Sequence, residues 1–448
     1  MTAMNSDSRN FWIINTLNTL FFSGYLILKF PLAYILEKHG VPLQKAYALT
    51  TASTTAVALC SLALILILKK YHHQKQIFVL GIALICIATL LLESQKMHCI
   101  LAGLSAYVLG SSLYFFNFTL MLNKQFSTQK DRLRGNYIAQ ICLNVGAFFG
   151  CIVILLSIGT ANHYFTMSFC ITLATLLLSL IGYQFLRQDA VTLRQQSYFF
   201  IQLIFLFAII FMCLQLNEIT RWVVLIAFSV ATLLALIQAK KHQEKSYFVF
   251  IILILLFSLP LWIGNTVIYN QFFIFLHRHV STWFGIPAIA IIMLDPATNI
   301  IFGLFWEKIT RHHLAQARIS LTLGMYLFVI AFGVLAFALW INHATSIAII
   351  YPVITLVLFS CAQFLIQPTM HAYINHLSDH HHHRVFALGI LRAIRAVAAS
   401  IAFYLINTTI STTTAPSWNQ NITLYTSMTA IGCVALALFY GLRKTHDI

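Results

Sequence analysis

Long apolar segments separated by short polar stretches recur along the whole chain. Most of these segments are long enough to cross a bilayer, for which a helix needs about 20 residues. The alternation of polar and apolar positions over about ten residues that is typical of a membrane β-barrel is absent. The pattern predicts about fourteen transmembrane helices, near residues 10–37, 46–68, 76–95, 98–122, 134–158, 164–187, 196–216, 219–239, 247–276, 283–306, 314–340, 347–374, 384–407 and 421–442. We therefore expect an all-α polytopic membrane protein.

The predicted helices fall into three groups. Residues 1–190 form an N-terminal six-helix bundle, residues 191–245 a two-helix insertion, and residues 246–448 a C-terminal six-helix bundle. Because the inserted helices carry few polar residues, we expect them to face lipid and to be dispensable for solute binding. Two six-helix halves flanking a central connection are the layout of major facilitator transporters, which hold their solute near the midplane between the halves.

The distribution of charge predicts how the helices are oriented. The chain is 60% hydrophobic and carries a net charge of +16, with a mean hydropathy of +0.84. With the N-terminus inside and the helices alternating, the inside loops hold 19 of the 27 Lys and Arg residues and the outside loops hold five. By the positive-inside rule, both termini are cytoplasmic, and we expect a multi-pass protein of a bacterial inner membrane. The basic charge thus reflects topology and gives no reason to expect a nucleic-acid partner.

Several segments resemble the proton-dependent oligopeptide transporter family of the major facilitator superfamily. Gly110–Thr119 is similar to a Gly-rich motif of that family, and Ile141–Phe148 to its Ile-Asn-x-Gly motif. Leu294–Ile301 resembles its Leu-Asn-Pro segment, and Ala362–Pro368 keeps the spacing of its glutamate motif. Gly389 falls where the following helix of the family has its glycine. Bacterial members also carry two extra helices between the halves, so the resemblance implies a peptide transporter with the same architecture.

The chain departs from this family at the charged positions. The first-helix Glu-x-x-Glu-Arg motif corresponds to the uncharged stretch Leu17–Phe21, the fourth-helix lysine to Phe115, and the twelfth-span glutamate to Gln363. The ninth span has no glutamate near Thr266. Conversely, the asparagine before the tenth-span proline is here Asp295. In the family that asparagine and the glutamate hold the amino terminus of the peptide, so the negative charge would have moved from one wall of this sub-site to the other.

Asp295 is the acidic residue that lies deep in a hydrophobic segment. A carboxylate at that depth is costly and marks a substrate, ion or proton pathway. Because desolvation favours the protonated form of a carboxyl group, Asp295 is also the candidate for proton coupling. Pro296 indicates that the helix is bent or locally unwound there. Lys29, in the first span, is a candidate partner whose ion pair with Asp295 would offset both desolvation costs, and a purely structural pair is the alternative.

Two arginines lie three residues apart on one face of the thirteenth span. One interpretation places both near the cytoplasmic end of the span, with their long side chains extended to the interface, and it fits Arg392 better than Arg395. Arg395 lies eleven residues past Arg384, about 16 Å along a helix and close to the midplane. The predicted substrate site consists of Asp295, Asn144, Gln363, Tyr25 and a buried cation, Lys29 or Arg395.

The sequence predicts neither a metal site nor a cofactor. The nine cysteines lie singly and suit apolar packing. The tract His380–His383 lies in a predicted cytoplasmic loop, which lacks the fixed geometry of a metal site. The chain contains neither a phosphate-binding Gly-x-x-x-x-Gly-Lys-Ser/Thr loop nor a His-Glu-x-x-His zinc motif, so neither ATP hydrolysis nor zinc-dependent catalysis is expected.

Together these features predict a secondary-active transporter and not an enzyme. We expect a monomer that moves a small organic solute, peptide or amino-acid-like, by alternating access across the lipid bilayer, with proton coupling through Asp295. Two alternatives remain open at this stage. One is an uncoupled facilitator of a different small solute, and the other is a receptor or assembly protein that keeps the fold without transporting.

Overall fold

The computed structural model describes residues 7–29, 32, 36, 40–41, 43–68, 74–94, 96–126, 129–158, 164–185, 193–241, 245–268, 275–276, 280, 291, 293–310, 316–342, 347–373, 381–409 and 418–446. Nearly all of these residues are helical. The helices are α1 Asp7–Lys29, α2 Leu43–Leu68, α3 Gln74–Leu92, α4 Met97–Lys124, α5 Gln129–Ile158, α6 Tyr164–Gly182, α7 Leu193–Gln215, α8 Asn217–Lys241, α9 Lys245–Leu253, α10 Leu259–Val267, α11 Leu294–Thr310, α12 Gln316–Ile341, α13 Ile350–Tyr373, α14 His381–Thr409 and α15 Trp418–His446.

The predicted all-α polytopic fold is confirmed. Each of the fourteen predicted spans overlaps a helix among the described residues, with α9 and α10 together making one span, Tyr247–Val267. Among the described residues, nine helices are long and apolar enough to cross a membrane, and four shorter ones are also apolar. The first part of the tenth predicted span, residues 283–290, lies outside the described residues, and α11 begins at Leu294.

Helices α1 and α5 of the first half approach each other very closely. A Cβ atom on Gly146 would lie 2.2 Å from the carbonyl oxygen of Thr19, so glycine is required at this point. One turn earlier on α5, the Cys142 carbonyl accepts a hydrogen bond of 2.9 Å from the Thr19 hydroxyl. Small residues at such spacing let membrane helices approach each other closely. The glycine in the fifth-span segment Ile141–Phe148 is therefore a packing residue.

One seam between the two halves runs between α2 and α14. A Cβ atom on Gly389 would lie 2.2 Å from Cγ1 of Ile65, so α14 can pack this tightly against α2 only with glycine there. Farther along the same pair of helices, the hydroxyl groups of Thr55 and Ser400 are 3.4 Å apart. The two halves therefore meet along much of the length of these helices.

A second seam joins α5 to α11, α12 and α13. The Tyr137 hydroxyl lies 2.9 Å from the Ser320 hydroxyl on α12 and 3.1 Å from the Thr369 hydroxyl on α13. At the end of this seam, Arg134 Nε contacts Glu307 Oε1 at 2.6 Å. The two parts of the chain are thus joined along two separate seams.

The two inserted helices connect these halves on the outside. Helix α7 packs against α2 and α4 of the first half, and α8 packs against α2, α9 and α14. Their outward faces expose large apolar side chains, including those of Phe205 and Trp222. The expected lipid-facing surface is therefore present, but the inward surface covers the α2–α14 seam. The division into residues 1–190, 191–245 and 246–448 stays a prediction.

A π-helical turn, Ile254–Ser258, separates α9 from α10 and is followed directly by the buried Pro260. Proline cannot donate the backbone hydrogen bond of a regular helix, and the irregularity beside this proline takes the form of a π turn. Such turns occur frequently at functional sites. Here α10 carries Trp262, one of the side chains of the site described below.

Candidate solute-binding site

Asp295 lies in the first turn of α11 with only 5% of its surface exposed. Its Oδ1 atom accepts hydrogen bonds from the Ser360 hydroxyl at 2.5 Å and from Asn299 Nδ2 at 3.0 Å. Because Ser360 lies about halfway along α13, this carboxyl group is at mid-span depth. Pro296 occupies the first turn of α11, where a missing N–H is tolerated. Because residues 281–290 and 292 lie outside the described residues, the expected bend or local unwinding of this span stays a prediction.

The Ser360 hydroxyl has two acceptors within reach. It lies 2.5 Å from Asp295 Oδ1 and 2.7 Å from the Leu356 carbonyl oxygen on its own helix. A serine hydroxyl has one hydrogen to donate. With the Asp295 carboxyl ionised, that hydrogen serves only one of the two acceptors at a time. If Oδ1 carries a proton, it donates to Ser360 and Ser360 donates to Leu356, so each group is satisfied.

Two arginines of α14 lie in the space between the halves. Arg392 is 8% exposed and donates from Nη2 to the Thr119 hydroxyl on α4. The Thr119 hydroxyl is also 3.5 Å from Nδ1 of His371 on α13. Arg395 places its guanidinium carbon 3.8 Å from the ring centroid of Trp262. These contacts join α4 of the first half to α10, α13 and α14 of the second.

Aromatic rings separate and surround the two guanidinium groups. The Phe115 ring centroid lies 5.6 Å from the guanidinium carbon of Arg392 and 5.9 Å from that of Arg395. Tyr25 lies 5.3 Å from Phe115 and stacks on Tyr107 with centroids 5.4 Å apart. Tyr25 and Arg395, both predicted site residues, therefore lie next to the same ring, that of Phe115. We call Arg392, Arg395, Thr119, His371 and Phe115 the arginine cluster.

A polar stripe on α13 connects Asp295 to the arginine cluster. Ser360, Gln363, Gln367 and His371 follow one another at spacings of three, four and four residues, which places them on one helical face. Gln363 Oε1 and Gln367 Nε2 are buried without a hydrogen-bond partner. Ser360 and His371 are eleven residues apart, so the two charged sites are separated by about 16 Å along the helix. Gln363, the predicted site residue, belongs to this stripe.

Two predicted site residues do not contact Asp295 in this conformation. Lys29 lies exposed in the last turn of α1, with Nζ 5.8 Å from the Tyr25 ring centroid. Since the salt bridge within the described part of the chain joins Arg134 to Glu307, the ion pair of Lys29 with Asp295 is not formed. Asn144 is buried on α5 and donates to the Gln140 carbonyl at 2.8 Å. Whether either residue contacts the solute stays a prediction.

Arg392 and His371 are the members of the site that sequence reasoning missed. The expectation that Arg392 reaches the membrane interface is wrong, because its side chain is buried and bonded to Thr119. The spacing of Arg392 and Arg395 on one face was the available signal. For His371 the signal was its position in the α13 stripe, four residues after Gln367.

The remaining predictions concern metals and cysteines. All nine cysteines are free. In the histidine tract, His380 lies outside the described residues, and α14 begins at His381. The tract is therefore partly helical and not entirely loop. No group of His, Cys, Asp and Glu side chains that could hold a metal ion occurs among the described residues.

The helical fold and its buried polar and charged side chains are those of a polytopic membrane transporter. The sequence matches the model of the Major Facilitator Superfamily over residues 11–403. The chain therefore belongs to this superfamily, and it is a secondary-active transporter of a small solute. No curated protein matches it by sequence.

Solved structures with the same fold include several peptide transporters. The tetrameric transporter PepTSo2 superposes with a TM-score of 0.76 at 14% identity, covering 98% of this chain and 100% of that one. A structure that concerns substrate recognition in proton-dependent oligopeptide transporters has a TM-score of 0.76 at 14% identity, covering 97% of each chain. A transporter of this family in complex with 5-aminolevulinic acid has a TM-score of 0.75 at 14% identity, covering 96% of each chain. The resemblance noted in the sequence is thus matched by the fold.

Proposed function

We propose that this transporter couples the movement of a small peptide-like or amino-acid-like solute to protons, and that Asp295 carries the proton. The solute occupies the space between the halves, and rocking of the halves exposes it to each side of the membrane in turn. The candidate solute contacts stay Asp295, Asn144, Gln363, Tyr25, Arg395 and Lys29. Lys29 is the weakest of these candidates because it is exposed at the end of α1.

The single observation that carries this proposal is the shared hydroxyl of Ser360. Its two acceptors, Asp295 Oδ1 at 2.5 Å and the Leu356 carbonyl at 2.7 Å, are both served only when the carboxyl group is protonated. Movement of α11 relative to α13 would remove this arrangement and favour release of the proton. A conformational change of the halves and a protonation change would then be linked.

Proteoliposomes test this function. A pH gradient, inside alkaline, is expected to drive uptake of alanylphenylalanine or 5-aminolevulinic acid, and entrapped pyranine reports the accompanying protons. Asp295→Asn is expected to abolish pH-driven uptake while the protein stays folded, because an amide cannot carry the proton. Glu93→Gln, which removes an exposed carboxylate, is the matched control. Uptake by Asp295→Asn with the pH dependence of the parent protein would refute proton coupling through this residue.

An uncoupled facilitator is the second candidate function. It is favoured by the residues at the family's charged positions, where this chain has Phe115 and Gln363. Such a protein would equilibrate solute down its gradient, and pyranine would report no proton movement. A receptor with the same fold would bind solute in the same preparation without moving it.

We also propose a bacterial inner-membrane location with both termini in the cytoplasm, supported by the excess of Lys and Arg in the loops assigned to the inside. A reporter fused after Ile448 is expected to be active in the cytoplasm, and a reporter at Asn217 outside. A monomer is expected here, although PepTSo2 was crystallised as a tetramer.

A further inference from the structure

We propose that the arginine cluster binds an anionic group of the transported solute, a carboxylate held by Arg392 and Arg395. This inference deepens the proposed function and rests on it for the identification of the space as the solute site. It concerns a part of the molecule about 16 Å along α13 from the proposed proton carrier.

The positive charges of this cluster are not balanced by the described part of the chain. Arg392 and Arg395 are close enough to repel one another, and both act electrostatically on His371. Their recorded contacts are a hydroxyl group and aromatic rings. The one salt bridge among the described residues, Arg134 with Glu307, lies at the end of the other seam. A buried charge that lacks an opposite charge costs several kcal/mol, so an anion from outside would relieve this cost.

The cluster also has hydrogen-bond donors to spare. A guanidinium group carries five N–H donors in a rigid fork that fits the two oxygens of a carboxylate. Nε of Arg392 is buried without a partner, while Nη2 of the same group is used by Thr119. A buried donor of this kind normally has a hydrogen-bond partner in a folded protein. Its position where α4 of one half meets α14 of the other, beside the ring of Phe115, supports an acceptor that the solute supplies.

The surroundings indicate what kind of molecule carries the anion. Arg395, Phe115 and Trp262 are each only partly buried, so they border open space, whereas Arg392 and Tyr25 lie deeper. Rings on both sides of the guanidinium groups leave an apolar wall for the rest of the solute. This combination fits a small organic acid with an apolar or aromatic body, such as a peptide or amino-acid derivative with a free carboxylate.

Matched acid and amide probes test the anion site without requiring transport. Alanylphenylalanine and 3-phenylpropionate would be compared, at millimolar concentration, with their carboxamides in thermal-shift measurements on the purified full-length protein. The acids are expected to raise the melting temperature and the amides to have much smaller effects, because a ligand stabilises the state that it binds. Arg392→Gln and Arg395→Gln are each expected to weaken acid binding about tenfold or more. Arg9→Gln, which removes an exposed arginine near the start of α1, is the control.

The stability of the ligand-free protein separates a binding role from a structural one. If the arginines await an anion, Arg395→Gln leaves the melting temperature unchanged or raises it, because an unbalanced charge is removed. A clear drop in the melting temperature without ligand would show that the guanidinium group is a structural element and would overturn the proposal. Equal shifts by acids and amides, no shift by any acid, or full acid binding by both arginine variants would also overturn it.

The outcomes for coupling and for anion binding are independent. Loss of proton-driven uptake in every preparation, with acid-selective binding retained, would refute the proposed coupling and leave the anion site standing. Proton-driven uptake of the carboxamides at the rate of the acids would refute the anion site and leave the proposed coupling standing.

Discussion

The two buried charged sites of this transporter are satisfied to different degrees. The Asp295 carboxyl group receives a hydroxyl and an amide donor from Ser360 and Asn299, at short distances and within one half of the molecule. The guanidinium groups of Arg392 and Arg395 have one hydroxyl and several rings, and they lie where the two halves meet. The Asp295 carboxyl group therefore has hydrogen-bond partners within the protein, whereas the guanidinium groups of Arg392 and Arg395 have few.

This difference separates two ways of using a charge in a membrane. A carboxyl group provided with internal donors can change its protonation without any ligand, which suits coupling. A guanidinium group cannot lose its proton under physiological conditions, so the remaining way to balance it is an acceptor that comes and goes. On this argument, the hydrogen-bond partners of Asp295 support its proposed role in proton coupling, and the missing partners of Arg392 support its proposed role in binding an anion.

The largest expected effect is the contrast between Arg395→Gln and Asp295→Asn when solute binding and uptake are both measured on each variant. Arg395→Gln is expected to lower the affinity for alanylphenylalanine about tenfold or more, since a charge-assisted hydrogen bond is lost. Asp295→Asn is expected to keep this affinity within a few-fold while losing proton-driven uptake. Equilibrium binding and uptake would be measured on both variants. If each variant lost both properties equally, the division of roles between the sites would be wrong.

The next effect concerns the donor that satisfies Asp295. Ser360→Ala is expected to lower the free energy of unfolding by about 1–3 kcal/mol, because the buried carboxyl group loses a hydrogen-bond partner in either protonation state. Ser229→Ala removes an exposed hydroxyl that bonds only to the Leu225 carbonyl of its own helix, and serves as the control. The stabilities would be compared by chemical denaturation in the same detergent. Equal stabilities for the two variants would show that the carboxyl group does not depend on this donor.

A smaller effect of opposite sign is expected in the stripe between the sites. Gln367→Leu replaces a buried amide whose Nε2 has no partner, so the free energy of unfolding is expected to rise by about 1 kcal/mol. Uptake is expected to fall at the same time if the stripe is part of the solute path. A loss of stability would mean that Gln367 is satisfied in the membrane, for example by water.

The smallest effect is expected at the exposed salt bridge between the halves. Arg134 is 44% exposed at its side chain and Glu307 is 13% exposed. Arg134→Gln is therefore expected to change the free energy of unfolding by less than about 1 kcal/mol and to leave solute binding unaltered. A change in affinity as large as that of Arg395→Gln would place a solute contact at this end of the seam.

Hydropathy predicted the number and the approximate limits of the helices because each span must bury its backbone in an apolar segment. It did not predict which polar residues meet. The few polar residues of each helix show which side faces other helices, but they do not show which residues of a neighbouring helix they meet. Lys29 was therefore a candidate partner of Asp295, although its side chain is exposed and forms no ion pair with Asp295. The contact of Arg392 with Thr119 joins residues 273 positions apart and depends on packing that no local pattern records.

The Thr119 hydroxyl accepts a hydrogen bond from Arg392 and lies 3.5 Å from Nδ1 of His371. Both basic side chains belong to the opposite half. An anion bound to Arg392 would compete with this hydroxyl for the same N–H donors. Loading would then loosen the link between the halves, whereas the empty carrier would keep it. Such a carrier would rarely cross the membrane unloaded, and protons would not leak through cycles that move no solute.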